Sequence, residues 1–483
     1  MQPLSRDPET DRSLKSSLKD AAAFATMTGV GETYLSAFAL FLKATTPQIG
    51  LLASFPPLLA SLAQLLSAWI GRLTGHRKLI VLAGAGLQAF AWLPILLLPL
   101  IFPENAVPLL IASVVLYYGG AHLGAPQWSS LMGDLVPARR RGRFFSLRTR
   151  IVTITTFSAL MLGGILLHIC QQQGKTLYGF VALFIVACIA RLISVYHLSR
   201  MQDSGVNVAA LEIPVGHGWW TRLRRSNAVR FSVFFALMQF SVAIASPFFT
   251  VYMLRDLDFS YLAFTLNTGA AIFAQFLTLA QWGRISDVFG NRRVLTVTGL
   301  FIPLMPLLWT LSTDMWYLVL LQALSGFSWA GFSLAASNFV YDLIAPHRRA
   351  TYLAVHNVLA AAGIFAGALL GGYLGAVLPT EISLFGNSFS WISPLYGVFI
   401  VSTLVRAAVV ALLVPKLREV RNVRHISIPH VIFRVTRMNA LAGVFFEIIG
   451  SRTGRGNGDN GNGASEERSD GAGPDLASSD KPS

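Results

Sequence analysis

The sequence predicts an all-α integral membrane protein with twelve transmembrane helices in two pseudo-symmetric six-helix bundles, and three observations lead there. Hydrophobic residues fill 54% of the 483 positions and charged residues only 13%, whereas a soluble globular chain carries about 25% charged residues. That balance excludes an ordinary soluble protein. The apolar residues fall in twelve runs, each close to the roughly 20 residues a helix needs to cross about 30 Å of hydrocarbon. Features of the first six runs also recur, in order, in the last six, as an internal duplication would leave them.

The runs lie near 21–42, 47–70, 79–102, 107–132, 151–170 and 177–198, numbered here as spans 1 to 6. Spans 7 to 12 lie near 229–254, 260–283, 294–312, 315–341, 351–378 and 391–414. Residues 1–20 read as a polar tail with no apolar stretch before a cleavage site, so no secretory signal precedes span 1. An N-terminal bundle over 21–200 is thus separated from a C-terminal bundle over 229–415 by a polar linker, 201–228, holding Pro214, Gly216, Gly218, Arg222, Arg224 and Arg225. After Pro415 the tail 416–483 turns polar. Within it, 429–450 is apolar but broken by Arg434, Arg437 and Glu447, and reads as an interfacial helix. From Ser451 onward Gly, Asn, Ser and Asp dominate, and too little apolar surface remains to offset chain entropy.

Charge sets the orientation. The net charge of +15 sits in alternate loops: Arg72, Arg77 and Lys78 after span 2, Arg139 to Arg150 after span 4, the linker, then Arg292 and Arg293, Arg348 and Arg349, and Lys416, Arg418 and Arg421. The intervening loops are nearly free of Lys and Arg. Topology explains this distribution better than a nucleic-acid face, and the positive-inside rule places both termini in the cytoplasm. Arginine outnumbering lysine, with no targeting signal, points to a bacterial plasma (inner) membrane. Cys170 and Cys188 lie in or beside apolar runs without Cys-x-x-Cys spacing, so neither a disulfide framework nor a metal site is expected.

The duplication is read from three matches. Phe184, Ile185, Val186 and Arg191 in span 6 recur as Phe399, Ile400, Val401 and Arg406 in span 12. Gly75 and Arg77 recur as Gly290 and Arg292. Asp134, six residues, Arg141 recurs as Asp342, six residues, Arg349.

Between spans 8 and 9 stands Gly283, three residues, Asp287, two residues, Gly290, one residue, then Arg292 and Arg293. Gly290 and Asn291 suit a tight turn, and the arginines suit a cytoplasmic face. With the span count and the duplication, this loop resembles the signature loop of the major facilitator superfamily, twelve-helix secondary transporters, over about residues 21–415. The resemblance implies that Asp287 latches onto the start of span 5, around Arg148 and Thr149, where the helix dipole favours an anion. The first half departs from the pattern: Arg72 stands where the acid belongs and Ala68 where the first glycine belongs, so an uneven gate is expected. Asp134 with Arg141 and Asp342 with Arg349 resemble the charged relay of parts of this family. Each pair bridges its own helix end and turn, or else its arginine is a simple positive-inside anchor.

Glu32 is the most informative single residue, an acid midway along span 1. A charge at mid-membrane costs about 2.5–3.5 kcal/mol on insertion scales, so such residues usually face a cavity. It lies roughly 17 Å, and His122 on span 4 roughly 15 Å, from the cytoplasmic ends of their helices, which makes an acid–imidazole pair geometrically possible. Glu32 then binds a proton or a cationic substrate group; the plain alternative is a neutral packing acid. Gln127 and Trp128 on span 4, Gln239 on span 7, Asn267 on span 8, and Trp329 and Asn338 on span 10 line a central cavity or simply pack. In the family, helices 1, 4, 7 and 10 surround that cavity. Arg191 and Arg406 read as anchors that snorkel to the headgroups. Gly363, Gly367, Gly371 and Gly375 on span 11 form a period-four stripe for close helix packing.

The expected activity is secondary transport of a small solute by alternating access between the bundles, with a proton as first candidate for the coupling ion. No phosphate-cradling Gly-x-x-x-x-Gly-Lys-Ser/Thr motif is present to support a nucleotide-driven pump. A transporter-like sensor or receptor without net transport is the rival from another class. No enzyme signature, cofactor or metal ligand set is expected, the partners are the solute and the bilayer rather than nucleic acid, and the working unit is a monomer. Span 5 carries Gly163 and Gly164 but not the Gly-Pro-x-x-Gly-Gly element of many antiporters of the family.

Overall fold

The computed structural model describes residues 7–137, 140–203, 227–344, 349–379, 381–384 and 387–419. The interfacial helix read at 429–450, the tail from Ser451 and most of the linker lie outside the described residues. Ten helices among those described are long and apolar enough to cross a membrane. The two remaining expected spans, 1 and 9, are present but interrupted.

Span 1 starts earlier than its apolar run. Asp7 caps the helix Pro8–Val30 by accepting from the Thr10 backbone N–H at 2.9 Å, with proline in the first turn. The same bonds hold the Asp7 carboxyl below its ordinary range. The polar stretch read as a tail is therefore the first half of a helix. Its Leu14 and Leu18 pack into a cluster with Leu131, Met132, Leu135, Phe144 and Leu198. The helix stops at Gly31, where a Cβ would stand 2.5 Å from the Trp92 ring. A 3-10 turn, Glu32–Tyr34, and a second piece, Leu35–Phe41, complete the span. Span 9 is cut likewise into Asn291–Phe301 and Leu304–Leu308, with Pro303 between them unable to continue the ladder.

The other spans cover their apolar runs, except that span 5 starts ten residues earlier, at Arg141, so that most of the basic stretch read as a loop is helical. They are Thr46–Thr74, Arg77–Ile101, Ala106–Leu135, Arg141–Gln172 and Thr176–Ser199 in the first half. In the second they are Asn227–Asp256, Tyr261–Phe289, Met315–Leu343, Arg349–Val377 and Leu395–Leu413. Gly75 ends span 2 with φ +66, the left-handed cap that glycine adopts without strain. Span 7 tightens and loosens along its length: it breaks after Ala243, and its last turn, Tyr252–Asp256, is a π-helix, a feature concentrated at functional sites. Between spans 11 and 12 a short antiparallel hairpin pairs β1, Glu381–Leu384, with β2, Asn387–Ser390. It stands in a connection and leaves the helical architecture intact.

Packing carries the duplication further than the sequence matches do. Span 4 packs on spans 2 and 3, and span 10 on spans 8 and 9. Span 1 packs on 5 and 6, and span 7 on 11 and 12. The halves meet where span 2 lies on span 11 and span 8 lies on span 5. Exchanging each number for its partner six places on returns the same list, as a pseudo-two-fold axis requires.

Small residues set how closely these helices approach. A Cβ on Gly363, Gly367 or Gly371 would stand 2.4, 2.1 or 2.0 Å from the carbonyl oxygens of Ala236, Phe240 and Ile244. The stripe on span 11 is thus the seat of span 7. Replacing Gly367 with Leu is expected to cost about 1–3 kcal/mol by overpacking. A thermal unfolding midpoint of the purified protein equal to the parent's would contradict it.

Contacts between the halves cluster away from the arginine-bearing loops. Arg255 Nη1 of span 7 donates to Thr46 Oγ1 of span 2 at 2.9 Å, and the Tyr261 N–H donates to Gln171 Oε1 at 3.3 Å. Tyr34 Oη donates to the Leu160 carbonyl at 2.6 Å and lies 3.0 Å from Thr265 Oγ1, tying spans 1, 5 and 8. Phe55 meets Phe365, and Phe157 meets Phe273. Toward the other end, here the basic end, Trp69 and Leu73 of span 2 are 58% and 67% exposed.

Candidate functional site

The break in span 1 places Glu32 where the backbone is no longer a continuous ladder. Its Oε2 accepts from Tyr117 Oη at 2.8 Å and its Oε1 from Tyr118 Oη at 2.9 Å. Consecutive residues of span 4 thus hold both carboxylate oxygens. The Trp92 ring stands edge-on to Tyr117 at 5.2 Å and closes the floor. His122, expected as the partner of Glu32, stands one turn further along span 4 against Tyr118, ring centroids 6.5 Å apart. Its buried Nδ1 has no hydrogen-bond partner. The two phenols occupy the place given to the imidazole, because Tyr117 and Tyr118 lie a turn nearer to the break.

A second group lies nearer the basic end. Asp20, 3% exposed, accepts from Ser194 Oγ at 2.6 Å and faces Arg148 Nη2 at 3.3 Å. Ser194 in turn accepts from Arg191 Nη1 at 2.7 Å, and the Arg148 guanidinium lies over the Trp128 ring at 4.3 Å. One buried carboxylate thus faces two guanidiniums across spans 1, 5 and 6. Arg191 and Arg406 do not snorkel. Arg191 turns inward to Ser194 and the Phe24 ring, while Arg406 donates to the carbonyls of Val242 and Ile302 at 3.2 and 3.3 Å. Those carbonyls stand at the interruptions of spans 7 and 9, where they also accept backbone N–H groups, of Ala245 and Ser246 at Val242 and of Met305 at Ile302.

In the second half, spans 7, 10 and 11 line a half-open cavity of about 280 Å³. Gln239 and Trp329 line it, with Phe235, Phe332, His356 and Asn357. The buried His356 is fixed by Ser232 Oγ, 2.9 Å from its Nδ1, and by stacking on Phe235 at 4.7 Å. Tyr352 bonds the same serine and the Ala228 carbonyl. The remaining candidates stand elsewhere. Gln127 Nε2 donates to the Ser67 carbonyl at 2.9 Å and clamps span 4 to span 2. Asn267 is fully buried on span 8 with both side-chain polar atoms unpartnered. Asn338 is half-buried on span 10, outside the lining of that cavity.

At the basic end each half ties three of its own segments together. Arg77, 2% exposed, donates to Asp134 at 2.6 Å, Asp203 at 2.8 Å and Ser130 at 3.0 Å. In the second half Asn291 Nδ2 donates to Asp342 at 2.8 Å and the Arg292 backbone N–H to Glu419 at 2.8 Å. Asp134 therefore does not bridge to Arg141. Arg141 donates instead to the Gly133 and Val136 carbonyls, at 2.5 and 3.3 Å, which the end of span 4 leaves open. Asp287 is exposed on the last turn of span 8, and Gly290 alone separates that helix from the first turn of span 9, which carries Arg292 and Arg293. Arg148, offered as its partner, pairs with Asp20. Arg349 opens span 11, and its side chain lies outside the described residues.

Among solved structures the chain is similar to a point mutant of the nucleoside transporter NupG, at 15% identity and TM-score 0.64, covering 84% of this chain and all of that one. It is similar to an auto-inhibited POT family peptide transporter at 13% identity and TM-score 0.64, covering 86% and 99%. A bacterial homologue of the iron transporter ferroportin, in an inward-facing state, matches at 16% identity and TM-score 0.61, covering 85% and 99%. Comparison with curated protein sequences returns no match. Residues 231–449 match the family model described as Major Facilitator Superfamily. The second half of the chain thus carries the sequence pattern of that superfamily, and the chain shares its fold with these transporter structures.

The superfamily match covers the half that carries Gly283, Asp287, Gly290, Arg292 and Arg293. The first half, with Arg72 and Ala68 in the corresponding places, lies outside the matched residues. Sequence reasoning missed Asp20, Tyr117, Tyr118, Asp203 and His356. The signal for Asp20 was present: Asp7 followed by Pro8 is a helix start, and extending span 1 back to it puts Asp20 on the helix. Among the described residues no cluster of three His, Cys, Asp or Glu side chains forms a metal site.

Proposed function

We propose that this protein is a secondary active transporter that moves a small solute by alternating access and is driven by protons at Glu32. The observation that carries the reading is the carboxylate of Glu32, set at a helix break inside a membrane bundle and held by two phenols. An ionised Glu32 accepts two bonds; a protonated one must give up an acceptor or turn to donate. Proton binding thus loosens span 1 from span 4. The bodies that move are the halves over 21–200 and 229–415. The distribution of cross-half contacts supports a state closed at one end and parted at the basic end.

Supporting the orientation, Arg77, Arg141, Arg200, Arg292 and Arg293 share that basic end, so both termini face the cytoplasm, in a bacterial plasma membrane. The cytoplasmic gate is formed by Asp134 and Arg77 in the first half, and by Asp287, Arg292, Arg293 and Asp342 with its neighbours in the second. The protein works as a monomer.

The test is flux in proteoliposomes with an imposed pH gradient and a panel of radiolabelled solutes. A carrier gives saturable uptake and counterflow. Binding of a solute with neither flux nor counterflow would instead mark a receptor.

A further inference from the structure

We infer that the cavity among spans 7, 10 and 11 selects a small neutral solute with a planar ring that carries a carboxamide or lactam edge. The inference rests on the transport reading only in making this cavity the loading site; the ligand class comes from the lining. Three aromatic rings, Phe235, Phe332 and Trp329, face the space, and Phe235 lies 10° from the plane of Phe332. Trp329 stands edge-on to Phe332 with centroids 5.4 Å apart. Such walls reward a flat π-face.

The polar groups are two amides and two hydroxyls beside the His356 imidazole. Gln239 and Asn357 each offer a carbonyl oxygen and an NH₂, so each can give and take a hydrogen bond at once, matching the paired donor and acceptor of an amide edge. Ser333 and Ser337 add neutral hydroxyls. Among the described residues that line the cavity there is no Asp, Glu, Lys or Arg. A carboxylate or ammonium seated against these rings meets no counter-ion among the lining residues, so nothing repays the water it sheds and charge is disfavoured. At about 280 Å³, the space lies just below the roughly 300–1,000 Å³ that ligand pockets occupy. That suits one or two rings and not a peptide. His356 shapes the wall from behind: Ser232 engages its Nδ1, and Phe235 is stacked against its ring.

The experiment uses two matched pairs of probes, nicotinamide against nicotinate and uracil against orotate, with binding to the purified full-length chain measured by calorimetry at pH 7.5. Each neutral member should bind about tenfold or more tightly than its carboxylate, a difference of about 1.4 kcal/mol or more. In Gln239→Leu or Trp329→Ala protein, nicotinamide binding should weaken by about tenfold, while Trp329→Phe, which keeps a ring, should stay within about threefold. The comparison within each pair is made on the native protein, so it decides the matter even if a variant fails to fold. Equal or tighter binding of the carboxylates, no binding of either neutral probe, or neutral binding that survives both Gln239→Leu and Trp329→Ala would overturn the inference. Tight nicotinamide binding with no flux would leave the ligand class standing and defeat the transport reading instead.

Discussion

Glu32→Gln protein is expected to lose proton-driven accumulation of solute while retaining counterflow. The amide keeps the size of the acid and can still accept from one tyrosine, so the fold and the solute route survive. What it cannot do is exchange a proton. Accumulation under an imposed pH gradient should fall to the level of simple equilibration, a loss of about tenfold or more, or about 1.4 kcal/mol of coupling at least. Counterflow, which needs only movement of the loaded site, should stay within about threefold, roughly 0.6 kcal/mol. Tyr118→Phe, removing one of the two donors, should shift the pH dependence of accumulation without abolishing it. If Glu32→Gln protein accumulates solute as the parent does, the acid is a packing residue.

The largest loss of stability is expected from Asp20→Ala. Its carboxylate faces Arg148 and reaches Arg191 through Ser194, so its removal leaves two largely buried guanidiniums without a counter-charge. Breaking a buried pair from one side costs about 3–5 kcal/mol. Asp7→Ala, which removes only the cap of the same helix, should cost about 1 kcal/mol. Adding Arg148→Met to Asp20→Ala should recover part of the loss, since the stranded charge goes with it and the side chain still covers Trp128. Denaturation in mixed micelles gives the three comparisons. Asp20→Ala behaving like Asp7→Ala would place the carboxylate outside the network.

The spans were legible because a bilayer demands an apolar run of fixed length and arginine marks the loops. Interruptions were less so. Gly31 and Pro303 are visible as residues, but whether a glycine breaks a helix depends on what presses against it, here the Trp92 ring. Direction was read poorly. Glu32 stood out because an acid in an apolar run is conspicuous, whereas Tyr117 and Tyr118 look like any membrane aromatics until span 1 is folded onto span 4. Asp20 was lost by starting span 1 at the first apolar residue. Arg191 and Arg406 read as snorkelling because a helix considered alone offers no other destination; folded, Arg191 reaches Asp20 of span 1 through Ser194 of its own span, and Arg406 meets carbonyls of spans 7 and 9. Gln127, a polar residue on a helix expected to line the cavity, turned out to face span 2.

Arg406 reaches from span 12 to a carbonyl of span 7 and another of span 9 with one rigid fork. A single planar cation that splints two fractured rods to a third should make the trio travel as one piece. Whatever flexes in the second half must then do so in spans 8, 10 and 11. Spin labels on spans 7 and 9 should keep their separation through the transport cycle, and Arg406→Lys, which brings one ammonium where two arms were needed, should let that separation wander.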